Sequence, residues 1–404
     1  LYRFLKLFFR EKKAFLISVL TGISPLFVLY THQIMSEVIY FLFSILALYC
    51  FMLYLNQKEL SKKYLFLCSI FILLSYFTRT IGFVLILTMF LFIFFERLNK
   101  KNLRKFLFII LIITLPILFW SVRILGNEGE IYEQYSYKDL FFKNNNYDFN
   151  SGSLDLNKVV DRVLYNGEKQ ITQFSKTIFH PINWISLFYP SLSWLEIFFI
   201  LIVFFIILFG FILSISKDRT IIEYYFLTYV PIILLIPDPS SRYLFPIIPF
   251  IIHYFISGIK VVIKDKKMIL NVVVILIIIS SLAGVSKQAY LEHTSDYYLN
   301  NWGGNVADFV DMALWTKDNI PKEDNVIVYN PYMFYLFSGV KGNIPLLSYN
   351  KTEVLDHIYK KEAEYIVVDK GMGKRYLDLV IDKNNFEKVY EKDGNYIYKV
   401  KSLS

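Results

Sequence analysis

Residues 63–96 read KYLFLCSIFILLSYFTRTIGFVLILTMFLFIFFE. As one helix this run would be about 51 Å long at ~1.5 Å per residue, well beyond a ~30 Å hydrocarbon core. Its single interior charge, Arg79, sits between two threonines near the middle. The run therefore reads as two short helices, 63–78 and 80–96, joined by a tight turn at Thr78-Arg79-Thr80.

The same apolar density recurs along the chain. The 404 residues are 55% hydrophobic and 19% aromatic, with a mean hydropathy of +0.45. Apolar residues come in blocks rather than at amphipathic spacing, which excludes a soluble globular protein. Further runs occupy 14–31, 36–55, 104–122, 194–214, 221–236, 243–259 and 268–286, so nine spans are expected. Cys50 and Cys68 lie inside such runs and form no metal-binding or disulfide spacing.

Basic residues in the short connections set the orientation. Segments 1–13, 56–63, 96–105, 215–220 and 259–268 carry five, three, five, two and four Lys or Arg residues, nineteen in all. The short turns on the other side carry only Arg79 and Arg242. The basic side is the cytoplasmic one, so the N-terminus is expected inside. The net charge of +9 is then a consequence of topology and calls for no nucleic acid.

The fold class expected is a polytopic α-helical membrane protein with a C-terminal extracytoplasmic α/β domain. Residues 1–121 and 194–286 are the membrane helices, 122–193 an extracytoplasmic loop and 287–404 the outer domain. Within the loop, Leu156, Val159, Val160, Val163 and Leu164 have helical spacing, which predicts a helix lying at the surface over 155–178. The loop as a whole serves either as a cover or as a lid over a substrate cavity. In the outer domain, 325–329, 345–349 and 364–369 read as strands, KTEVLDHIYKK as a helix, and the Asp-Gly within 386–400 as a hairpin turn. His357 is a lone helix histidine with a structural reading.

Charged residues at a membrane helix mouth either follow ordinary helix chemistry or serve a site. Glu37 would suit the positive end of its helix dipole, or would orient an arginine or a sugar hydroxyl. Arg79 and Arg242 would snorkel to the surface, or would bind an anion. The second reading is favoured because both exceptions to the charge bias are Arg, whose planar fork meets phosphate oxygens bidentately.

Three motifs in order carry a resemblance. SPLFVLYTHQIMSEVIYFLFSILAL (24–48), LLSYFTRTIGFVLIL (73–87) and SSRYLFPIIPF (240–250) resemble segments of GT-C membrane glycosyltransferases, whose relatives include protein O-mannosyltransferases and the lipid-A aminoarabinose transferase. The tail, with WTKDNIP and AEYIVVD, is similar to that of bacterial and archaeal members. The resemblance implies inverting transfer of a sugar from a polyprenyl-phosphate-linked donor to a glycan, lipid or protein acceptor on the outer face of the cytoplasmic membrane, in the cell envelope. It implies donor-phosphate binding by Arg242 and Arg79, and donor or sugar orientation by Glu37 and Tyr243. No cofactor beyond the donor substrate is identifiable, no metal ligands are assigned, and divalent-metal dependence is open. The family's general base is an acidic residue in a first outer loop that has no counterpart here. The catalytic residue is therefore expected upstream of Leu1, with two further helices. The competing class is a lipid-linked glycan transporter or flippase, or a polysaccharide polymerase. The absence of an evident internal repeat and the clustering of charges at one surface favour the enzyme.

Overall fold

The computed structural model describes residues 1–32, 36–56, 62–96, 155–179, 193–217, 219–236, 240–264, 266–294, 306–346, 351–369 and 385–401, with some positions between 110 and 122. The expected outer-loop segment 122–154, the aromatic stretch 180–192 and most of the span 104–122 lie outside the described residues or nearly so. The described elements fall into two compact units. One lies within Leu1–Glu128 and Leu156–Gln288, the other within Ala289–Ser404.

The first unit is helical. A short turn, α1 (Tyr2–Leu5), precedes α2 (Glu11–Gly22), α3 (Pro25–His32), α4 (Ser36–Asn56), α5 (Lys62–Thr78) and α6 (Phe83–Glu96). Then come α7 (Leu156–Ile178), α8 (Ser193–Lys217), α9 (Ile221–Leu235), α10 (Ile248–Val262) and α11 (Lys267–Thr294). Among the described residues four helices are long and apolar enough to cross a membrane, five if the bent pair α2–α3 is one span. The segments 80–96 and 221–235 are shorter apolar helices.

The run 63–96 is split where expected. α5 ends at Thr78, Arg79 adopts an extended conformation, and a 3-10 turn (Thr80–Gly82) leads into α6. Cys68 Sγ lies 3.9 Å from Met89 Sδ, so α6 folds back along α5. The reversal brings backbones together at Gly82, where a Cβ would sit 2.6 Å from the Tyr76 nitrogen. The run 14–31, expected as one span, instead bends by 57° between α2 and α3. Pro25 supplies no N–H to the preceding turn and disfavours the helical conformation at Ser24.

Hydroxyl pairs join the apolar helices. Ser44 on α4 meets Ser75 on α5 at 3.0 Å, and Thr88 on α6 meets Thr228 on α9 at 2.7 Å. Helices in lipid gain little from apolar contact with one another, so such hydrogen bonds and close small-residue packing decide who pairs with whom. α8 and α10 show the second device. A Cβ on Gly210 would strike the Tyr254 carbonyl, and one on Gly258 the Ile206 carbonyl.

Helix α7 forms over the residues expected to be helical, 155–178. Leu156 and Leu164 are 79% and 66% exposed, whereas Asn166, Gln170, Phe174, Ser175 and Ile178 are buried. Asn166 Nδ2 donates to the carbonyls of Leu234 and Ile236 at 2.7 Å each, and Ser175 Oγ to that of Ile200 at 2.8 Å. The helix thus belongs to the bundle and turns its amides toward α8 and α9.

The second unit is a small α/β domain. Its sheet runs β2 (Gly342–Asn343), β1 (Val326–Ile327), β3 (Tyr365–Val368), β5 (Asn395–Val400), β4 (Phe386–Lys392), with β1 parallel to β2 and β3 and the remaining pairs antiparallel. α12 (Val306–Asn319) and α13 (Pro331–Ser338) cover one face through Met312 and Phe334. α14 (Lys351–Lys360) covers the other through Val354 and Ile358. The β4–β5 turn uses Asp393 and Gly394, both at positive φ (50° and 79°), as the Asp-Gly pair predicts. The strand expected at 345–349 is displaced to Gly342–Asn343, and its residues 347–349 lie outside the described set. α13 was not anticipated. Asn330 caps it by accepting from the Met333 N–H at 3.1 Å, and Pro331 opens its first turn.

Two predictions follow from this packing. Replacing Gly258 by Leu forces a side chain into the α10–α8 backbone contact and should cost about 1–3 kcal/mol, visible as a lower unfolding temperature in detergent. In the tail, the buried His357 accepts no charge easily: burial holds its pKa below the ordinary value, although its Nε2 lies 3.1 Å from the Ile344 carbonyl. The unfolded chain therefore takes up the proton first. Stability is full above about pH 6.5 and declines as the pH falls below it. Amide exchange of β3 should quicken beyond its intrinsic pH dependence over that window, and His357→Gln should flatten the response.

Candidate functional site

Three pieces of backbone meet at one end of the helical unit: the first turn of α4, the reversal between α5 and α6, and a 3-10 segment (Ser241–Ile247) that leads into α10. Each contributes one charged residue. Glu37 lies in the first turn of α4, Arg79 at the reversal and Arg242 in the 3-10 segment. The prolines of 240–250 explain the last placement. Pro246 interrupts regular helix formation, and Pro249 fits the opening turn of α10.

Glu37 is only 3% exposed and forms an ion pair with Arg79, whose Nη1 donates to Glu37 Oε1. The same carboxylate oxygen lies 3.8 Å from Arg242 Nε. Arg79 is 16% exposed and Arg242 40%. One acid thus faces two arginines among the described residues. Arg79 is closed onto the carboxylate, while Arg242 stands at the edge with more of its guanidinium open.

Tyr243 completes the arrangement. The guanidinium carbons of Arg79 and Arg242 lie 5.0 and 5.2 Å from its ring centroid, within cation–π range. Its backbone carbonyl accepts from Tyr229 Oη of α9 at 2.9 Å. Beside it, Tyr30 Oη and Ser241 Oγ are 2.8 Å apart, tying α3 to the same segment. All four residues singled out in the sequence, Glu37, Arg79, Arg242 and Tyr243, are therefore brought into one cluster. Tyr229 and Tyr30 were missed. Their signal was a tyrosine hydroxyl within an apolar run, which must find a partner when buried. Among the described residues no group of three His, Cys, Asp or Glu side chains could hold a metal ion.

Such a cluster can grip an anion with one or two oxygens while an aromatic face and an acid fix the direction of the guanidinium groups. The comparisons with known proteins bear on which anion. Residues 1–120 match the sequence model of the dolichyl-phosphate-mannose-protein mannosyltransferase family. The whole chain superposes on an archaeal oligosaccharyltransferase, AglB from Archaeoglobus fulgidus, solved in complex with an inhibitory peptide and a dolichol-phosphate, with a TM-score of 0.55 at 13% identity. The fold is of the GT-C type. The chain spans 62% of the length of that oligosaccharyltransferase, and no curated protein matches it significantly. The matched family segment contains Glu37 and Arg79, whereas Arg242 and Tyr243 lie beyond it.

The buried pair yields a prediction. Removing either Glu37 or Arg79 alone leaves an uncompensated charge and should cost about 3–5 kcal/mol. The Glu37→Ala/Arg79→Ala double substitution should cost clearly less than the sum of the two, as a double-mutant cycle on thermal unfolding would register.

Proposed function

We propose that this chain is a membrane glycosyltransferase that takes its sugar from a polyprenyl-phosphate-linked donor and acts at the outer face of the cytoplasmic membrane. The observation that carries this reading is the convergence of Arg79 and Arg242 on Glu37 and Tyr243 at the mouth of apolar helices. A lipid-borne phosphate needs both features, a cationic grip at the surface and hydrocarbon below. The bound dolichol-phosphate of the oligosaccharyltransferase, and the donor named in the matched family, support the same chemistry.

In this reading Arg242 is the principal phosphate ligand because it is the more open guanidinium. Arg79, committed to Glu37, contributes charge and holds the carboxylate. The phosphate is also the leaving group in inverting transfer, so fixed guanidinium charge beside it lowers the barrier as negative charge develops. Tyr243 orients both arginines, and Tyr229 in turn holds Tyr243. Glu37 is an orienting group, and we assign it no role as general base, since its accepting oxygen already faces both cations. The acceptor is a protein, lipid or glycan at the same face, and the α/β tail is placed outside.

Arg242→Ala should weaken binding of a short-chain polyprenyl phosphate to the protein in nanodiscs by about tenfold to a hundredfold, as loss of a charge-assisted hydrogen bond implies. Unchanged binding would overturn the assignment. Release of free polyprenyl phosphate from a polyprenyl-phosphate sugar, with no net movement of the lipid across a vesicle, separates the transferase from a flippase.

A further inference from the structure

At the far end of α10 from Arg242, two lysines form no ion pair among the described residues. Lys13, in the first turn of α2, is half-buried. Its Nζ donates to Ser257 Oγ of α10 at 3.3 Å and lies 4.6 Å from the Phe9 ring centroid. Phe9 in turn packs on His253, their ring centroids 4.3 Å apart, so the platform beneath the ammonium is tied to the same helix as Ser257. Lys260, also half-buried, follows Ser257 by three residues and shares its side of α10. Its charge acts repulsively on Lys13.

Glu223, in the first turn of α9, acts on Lys13 electrostatically without forming an ion pair. Its carboxylate accepts instead from the Thr220 N–H and hydroxyl at 2.8 and 2.6 Å, closing the cap of its own helix. Lys13 also stands at the positive end of the α2 dipole, where an acid is the favoured residue. Two cations held together, partly out of water, repel each other and lose hydration. Around Arg79 and Arg242 that cost is met by Glu37, whereas here no carboxylate closes on either lysine. Ser257 adds a donor to the same spot. Its oxygen accepts from Lys13, and its hydrogen has no acceptor among the described residues. Phe15 on α2 and Val261 and Val262 on α10, close in the chain to the two lysines, are exposed.

We propose that Lys13, Lys260 and Ser257 bind the headgroup phosphate of an anionic phospholipid, whose acyl chains lie on the apolar surface beside them. A phosphodiester offers one unesterified oxygen to each ammonium and accepts from the Ser257 hydroxyl. Basic sites between membrane helices hold anionic headgroups by this chemistry. A zwitterionic lipid brings its own ammonium to two lysines and is disfavoured. The site stands apart from the arginine cluster, since Lys260 lies about 18 Å along α10 from Ile248 at ~1.5 Å per residue. It does not depend on the function proposed for that cluster.

The full chain in detergent is given phosphatidylglycerol or phosphatidylcholine, and retained lipid is read by native mass spectrometry. Phosphatidylglycerol should be retained about tenfold more tightly, with the preference shrinking as salt rises. Lys13→Met keeps an apolar stem on Phe9 and removes the charge. It and Lys260→Met should each weaken retention about tenfold. Phosphatidylglycerol should also raise the unfolding temperature of the wild type by mass action. The Lys13→Met/Lys260→Met double variant should unfold cooperatively at a temperature the lipid does not move, which separates a lost site from a lost fold. Equal retention of the two lipids, or wild-type retention by the double variant, would overturn the proposal. So would retention that depends on Arg242 rather than on the lysines, or displacement of the lipid by millimolar inorganic phosphate, the mark of a free-phosphate site.

Discussion

The carboxylate of Glu37 is the constraint on which one end of the helical unit depends. Its first helical turn, the reversal after α5 and the irregular segment before α10 have no backbone ladder in common. Each brings a charge whose removal from water is costly alone. The ion pair with Arg79 and the 3.8 Å approach of Arg242 offset that cost together and fix three chain segments at one point. The same carboxylate determines which arginine can serve a ligand. By taking up Arg79 it leaves Arg242 as the more exposed of the two guanidinium groups.

The polar interior of the bundle obeys the inverse of the rule that governs soluble cores. On α7, Leu156 and Leu164 face outward together with Asp161 and Glu168, while Asn166, Gln170, Phe174 and Ile178 face inward. Asn166 spends both of its donors on the carbonyls that end α9, where the sequence Ile-Pro cannot continue the helix. The hydroxyl pairs Ser44–Ser75 and Thr88–Thr228 perform the same service between other helices.

Much of this was legible in the sequence. Block hydrophobicity marked the helices, excess length located the reversal at Arg79, and Asp-Gly located the β4–β5 turn. The site residues could be singled out because basic residues are otherwise absent from the short turns on that side. What escaped had physical causes. The inward face of α7 was not read, because Asn166 and Gln170 carry no apolar signal. The 57° bend at Ser24-Pro25 was invisible to hydropathy, which averages over a proline. Helix α13 is short and aromatic, and its propensity is weak without the Asn330 cap and the packing of Phe334 beneath the sheet. Tyr229 and Tyr30 carry no periodic signal at all, since their value lies in a hydroxyl reaching a distant segment.

The glycine contact between α8 and α10 also governs how the site can move. At Gly210 and Gly258 carbonyl oxygens stand where Cβ atoms would be, so no side chain there can slide or repack between these helices. They shift as one body. Arg242 and Tyr243 are borne on the segment that runs directly into α10, so their coordinates are anchored through α10 to α8. Adjustment around a bulky headgroup then falls on the other half of the cluster, on α4 and the hinge-like reversal at Arg79, where an extended residue and a single 3-10 turn join two helices. The cluster is in this sense a vice with one fixed jaw.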